Sequence, residues 1–185
     1  FALRPGLAGP RRPPANKPLF DDALGVWLTP FVMANINTRN VHRSNFLLGF
    51  PYGRDFVYDE MMIAGPGDAG EERAKAMVVA NNKMGAQGSP KPGEGPSKEE
   101  REAGYFDLLF LGVAPDGRTL RAVVTGDRDP GYGCTSKMIA ESAICLVREA
   151  SDVPGGIWTP GAALGHCLIK RLSDHAGMTF AIDKG

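Results

Sequence analysis

What the sequence lacks narrows the field first. No strand followed by a glycine-rich turn and a helix is read anywhere ahead of Gly126, and that unit is what brings a backbone close to a dinucleotide pyrophosphate. No Cys-x-x-Cys occurs, and His42, His166 and His175 stand at no metal-ligand spacing. Cys134, Cys145 and Cys167 are odd in number and widely spaced, so reduced core thiols in a cytoplasmic protein are expected. Net charge is also missing: 21 basic and 21 acidic residues cancel. No overall field therefore draws nucleic acid or an anionic membrane. No apolar run approaches the ~20 residues of a membrane-spanning helix, and no secretory leader pattern opens the sequence. Phe1 stands where an initiator methionine would, so a piece of a longer polypeptide is expected.

What remains is 185 residues with an ordinary hydrophobic share of 43%, enough for one domain-sized core. Five prolines in residues 1–18 mark an extended linker or arm. Leu24, Trp27, Leu28, Phe31 and Val32 recur at the spacing of one buried helix face, with Pro30 kinking or dividing that helix. A second helix is predicted over 36–48, stopped by Gly49 and Pro51. A strand is expected over 55–63, a break at Gly-Pro-Gly-Asp-Ala-Gly, and a helix over 71–84 with Glu71 and Glu72 in its first turn. Residues 85–104 read as a long loop holding a capping-box pattern at Ser97.

The later half has the sharper signals. An almost continuously apolar strand over 105–114, buried on both faces, pairs with one over 119–125 across Pro115-Asp116-Gly117-Arg118. A helix over 135–148 has only a narrow polar stripe of Lys137, Glu141, Ser142 and Arg148, so it should be largely buried. A short strand over 156–158, a helix over 160–175 entered through Thr159 and Pro160, and a last strand over 178–182 complete the chain. The sum is α+β: a mixed, partly antiparallel sheet packed by helices, in one domain over 19–185.

Five stretches carry a resemblance in family order: WLTPFVMANINTRNVHRSN from Trp27, YGRDFVYDEMM from Tyr52, GEGPSKEEREAGYF from Gly93, GDRDPGYGCTSKMIAESAICL from Gly126 and PGGIWTPGAALGHCLIKRL from Pro154. Together they resemble the C-terminal half of the saccharopine dehydrogenase-like oxidoreductases, in the branch that includes trans-acting enoyl reductases. The resemblance implies a substrate-side or dimerisation domain that positions a small-molecule or acyl substrate. It implies an N-terminal Rossmann domain as the missing partner, binding NAD(P), and a homodimer as a further option. It implies redox chemistry for the parent protein, with the isolated chain inactive. A non-catalytic binding or dimerisation module is the alternative.

Five residues are singled out as site candidates. Arg39 and Arg43 lie four apart on one predicted helix face, with Asn37 and His42 nearby. They either recognise an anion (a carboxylate, a carrier phosphate, the cofactor's phosphate) or form salt bridges at a domain interface. His42 is either a proton donor or a structural histidine. Tyr132, in the turn over 127–133, is the candidate substrate-facing proton donor. Thr135 and Lys137, with the backbone N–H groups of the helix start, either receive an anion or cap the helix. The small residues Gly161, Ala162, Ala163 and Gly165 suit close packing, and Cys134 stands near a helix N-terminus, where a thiol pKa can fall.

Overall fold

The computed structural model describes residues 17–82 and 93–183; the expected arm over 1–16 and loop residues 85–92 lie outside them. The chain divides into two compact units, Phe1–Lys91 and Pro92–Gly185. The architecture is α+β, and every strand pairing is antiparallel.

The first unit corrects the sequence reading at its start. Where a helix was expected, β1 (Leu19–Asp21) and β2 (Val26–Pro30) form a hairpin. The Asp21 carboxylate accepts from the Leu24 N–H at 2.9 Å, and the Asp21 carbonyl accepts from the Gly25 N–H at 2.8 Å. Gly25 takes a positive φ of 67°, which closes the reversal and overrides the helical spacing of the apolar residues. Val26, Trp27 and Thr29 are also strand formers. Strand β3 (Met61–Gly65) pairs with β2, giving the order β1-β2-β3. The strand expected over 55–63 is thus shifted: Phe56 instead packs among His42, Tyr52 and Tyr58, with ring centroids 5.3–6.3 Å apart. Helix α1 (Ala34–Leu47) follows the expected bounds closely, and Gly49 beyond its end takes a φ of 79°.

A second correction concerns the missing glycine-rich unit. Strand β3 runs through Gly65-Pro66-Gly67-Asp68-Ala69-Gly70 straight into α2 (Gly67–Asn82), so a strand, a glycine-rich turn and a helix do occur in order. Gly65 and Gly67 have φ of 114° and 60°. A Cβ on Gly70 would lie 2.0 Å from the Gly65 carbonyl oxygen, so that glycine serves close helix–strand packing. The first-turn acid is Asp68, not the expected Glu71 and Glu72, which pair with Lys75 at 2.7 and 3.2 Å.

In the second unit, Ser97 and Glu100 form the expected capping box at the start of α3 (Lys98–Ala103). Strands β4 (Phe106–Val113), β5 (Thr119–Gly126) and β6 (Met178–Asp183) make one sheet in the order β4-β5-β6. The expected hairpin forms, but β4 is an edge strand without a buried residue, so its continuous apolar run is not covered on both faces. Helices α4 (Gly133–Glu149) and α5 (Pro160–His175) pack together over one sheet face. Their core is Cys134, Cys145, Leu164, Leu168, Leu172, Ala176 and Met178, with Phe106, Val124 and Phe180 rising from the sheet. The chain breaks its helical path at Gly165, with φ of 45°. No strand forms over 156–158; the Trp158 indole N–H instead donates to the Pro154 carbonyl at 2.9 Å.

Candidate functional site

The turn between β5 and α4 is held by one side chain that sequence reading passed over. The Asp129 carboxylate accepts from the N–H groups of Gly131 at 2.8 Å, Tyr132 at 3.2 Å and Gly133 at 2.5 Å. These donors hold the Asp129 carboxyl below its ordinary range, the Gly133 N–H contributing most. The anion at this helix start is therefore the chain's own. A Cβ on Gly104 would lie 2.6–2.7 Å from Asp129 atoms, so α3 is pressed against the same turn. The Asp129 N–H donates to the Arg101 carbonyl at 3.1 Å, and Arg128 pairs with Glu102 at 3.0 Å.

The result is a fixed platform for Tyr132, which is 56% exposed. Its ring lies against Gly95, where a Cβ would meet ring atoms at 3.4 and 3.5 Å and the hydroxyl at 3.7 Å. Tyr132, Arg101 and Glu94 line a concavity of about 210 Å3 with Gly93, Gly95 and Pro96. The Arg101 guanidinium donates to the Pro96 carbonyl at 2.9 Å, which steadies the Gly93–Pro96 segment over the tyrosine. Arg101 also borders a second, open concavity of about 270 Å3, with Lys98, Arg128 and Lys137. A phenol, a guanidinium and a carboxylate around one hollow can bind a polar oxygen, carry negative charge on it and exchange a proton.

The other candidates in this unit are tied within the fold. The Thr135 hydroxyl donates to the Pro130 carbonyl at 2.6 Å. Lys137 donates to Asp127 at 2.8 and 3.1 Å and to the Ala176 carbonyl at 3.2 Å. Asp127 in turn sits against Gly177, where a Cβ would lie 2.2 Å from it. Cys134 does not have the lowered thiol pKa its position suggested, because burial pushes it up. Cys145 is buried and shifted the same way, and Cys167 is exposed.

Arg39 and Arg43 belong to the first unit, on α1. Arg43 lies over the Phe46 ring at 5.4 Å. Sequence reading singled out Asn37 there but missed its partners: its side-chain amide donates to Glu60 at 2.8 Å, and the Tyr58 hydroxyl donates to the other Glu60 oxygen at 2.8 Å. Burial first, and then Glu60, push the Tyr58 phenol well above its ordinary range, so it stays protonated. A gap of 23 residues separates Asn37 from Glu60, and no local pattern joins them.

Among the described residues no cluster of His, Cys, Asp and Glu suited to a metal occurs. The strand, glycine-rich turn and helix around Gly65, Gly67 and Gly70 does not fit a dinucleotide. Its strand lies in an antiparallel sheet, no parallel strand follows its helix among the described residues, and Asp68 puts a carboxylate in the first turn, where a pyrophosphate would lie.

Comparison with known proteins gives the chain its kinship. A Mycobacterium tuberculosis protein provisionally named a trans-acting enoyl reductase is 35% identical over 83% of this chain and 41% of its own length. Trans-acting enoyl reductases of Mycobacterium bovis and Mycobacterium ulcerans are 33% and 31% identical, over 88% and 85% of this chain and 42% and 41% of their own lengths. The chain is homologous to mycobacterial trans-acting enoyl reductases. It spans about two fifths of the length of these relatives. No family model and no solved structure matches it.

Proposed function

We propose that this chain is the substrate-side part of an NAD(P)H-dependent enoyl reductase of the saccharopine dehydrogenase-like type, with its acceptor an unsaturated acyl group. The kinship with trans-acting enoyl reductases supports the reaction class. The observation that carries the site is Tyr132, set by the Asp129-held turn at a hollow shared with Arg101. Reduced NAD(P) would supply the hydride from a nucleotide-binding part of the longer protein, a Rossmann domain, since the described residues provide no fitting cradle. Tyr132 supplies a proton donor at the substrate, Arg101 carries the negative charge that grows on a substrate oxygen, and the Gly93–Pro96 segment limits water at the hollow. We assign Thr135 and Lys137 to holding the turn and the end of α5, because their donors are engaged there. Arg39 and Arg43 stay in the proposal as an anion-recognising pair on α1. The proposal keeps a cytoplasmic location, which the buried free thiols of Cys134 and Cys145 support; no described helix is long and apolar enough to cross a membrane.

A second reading, a binding or homodimerising module without chemistry, draws on apolar side chains exposed along α4: Ile139, Leu146 and Val147. Steady-state kinetics of the longer protein carrying Tyr132→Phe separates the two. The proposal expects kcat to fall by about 100-fold with KM little changed, the scale of a lost proton donor. An unchanged kcat would remove Tyr132 from the chemistry.

A further inference from the structure

Helix α4 sends charged as well as apolar side chains toward the unit. Glu141 pairs with Arg171 of α5 at 2.6 Å with both side chains only 14% exposed, and Lys137 reaches Asp127 and the Ala176 carbonyl. Its outer face holds Ile139, Ala140, Ala143, Leu146 and Val147, all exposed, with the three large side chains 70%, 57% and 85% exposed. At 100° per residue these five fall within an arc of about 120° that carries no charge. The sheet repeats the pattern. The face that holds Phe106, Val124 and Phe180 against the helices continues into Leu108, Phe110, Leu120 and Ile182, as the strand register shows, and these four are 40–60% exposed. Two helices thus cover one end of a sheet face whose other end is apolar and bare.

The seven large side chains, three on α4 and four on the sheet, together expose on the order of 800 Å2, the share that one side of a stable interface buries. We propose that the outer face of α4 and the bare end of the β4-β5-β6 sheet form a docking surface for the other three fifths of the polypeptide that the longer relatives possess. That portion has the length to cover such a surface, since the relatives extend well beyond the two fifths matched here. The occupant must present an uncharged apolar face, because a charge set against the α4 arc would be buried without a partner. This rests on the two-part reading of the enzyme and adds the surface by which the parts meet.

The test compares two proteins: the 185-residue chain, and the Mycobacterium tuberculosis relative with its matching segment replaced by this chain. Val147→Cys is placed in both, in a Cys167→Ser background, and maleimide labelling is timed. The thiol is expected to react as an exposed one in the short chain and at least ~10-fold more slowly in the joined protein. Val147→Lys is expected to leave the melting temperature of the short chain unchanged and to lower that of the joined protein. The same pair of substitutions at the matching positions of the unmodified relative gives the same readout if the joined protein folds poorly. Equal labelling rates in both would overturn the proposal. So would a concentration-dependent dimer of the short chain that Val147→Lys dissolves, which would make a second copy the occupant. NADPH binding, followed by fluorescence, keeps the two proposals apart. A protected thiol without NADPH binding sinks the cofactor reading alone, and NADPH binding with an unprotected thiol sinks the docking surface alone.

Discussion

The turn that starts α4 and the outer face of the same helix follow opposite rules. At the turn, Asp129 satisfies three successive N–H groups, Arg101 and Gly104 close over it, and Lys137 binds the end of α5. Along the outer face, Val147, Ile139 and Leu146 are left mostly exposed. The polar bonding of this turn closes within the chain, whereas the apolar face of the helix it starts stays exposed. Hydrogen bonds are local and directional, so a short segment can close its own network. Burial depends on area, and a unit of this size has more apolar surface than its own helices cover.

Substitutions sharpen that contrast. The largest effects are expected where the turn and the core are closed. Gly104→Ala would drive a methyl group to within 2.6–2.7 Å of Asp129 and should cost about 3 kcal/mol in urea unfolding. A loss under about 0.5 kcal/mol would mean that the turn yields and is no rigid platform. Leu168→Ala, in the core shared by α5 and the sheet, should cost a similar ~3 kcal/mol. Tyr58→Phe comes next. It removes the phenol's hydrogen bond to Glu60 and keeps that of Asn37, and should cost about 1 kcal/mol. Val147→Ala, on the bare face of α4, should change stability of the short chain by less than about 0.5 kcal/mol, and a loss as large as that of Leu168→Ala would show that this face is covered already.

Acid should break the turn before the outer face. The Asp129 and Glu102 carboxyls are held below their ordinary values of 3.8 and 4.5, Asp129 chiefly by the Gly133 N–H and Glu102 chiefly by Arg128. A depressed folded pKa means that the ionised form is the one favoured by folding. Its stabilisation is present above the ordinary value and is lost as pH falls through the folded one. Thermal melts below pH ~4 should therefore show falling stability, and Asp129→Asn should flatten that fall. A melting temperature that stays level down to pH ~2 would contradict the assigned role of Asp129.

The sequence disclosed the second unit better than the first. The hairpin of β4 and β5, helices α4 and α5, β6 and the Ser97 capping box are all visible from local patterns, because each is set by its own periodicity and turn residues. At Asp21–Pro30 the helical spacing of Leu24, Trp27, Leu28 and Phe31 misleads, because a reversal closed by Asp21 and Gly25 sets the backbone before the apolar pattern can act. The glycine-rich turn at Gly65–Gly70 is overlooked when its first glycines are taken as a break, since the strand before it begins six residues later than the aromatic run at Phe56 suggests. At the candidate site Tyr132 stands out by its place in the turn, but Arg101 and Asp129 do not. Arg101 reaches the hollow from α3, 31 positions ahead of Tyr132, and only the fold brings the two together.

We propose that this chain holds the acceptor while the nicotinamide is held elsewhere. Titration of the purified 185-residue chain with NADPH, followed by cofactor fluorescence, tests it most directly. No saturable change up to millimolar cofactor is the expected result, and saturable binding in the micromolar range, abolished by a bulky residue in place of Gly67, would contradict it.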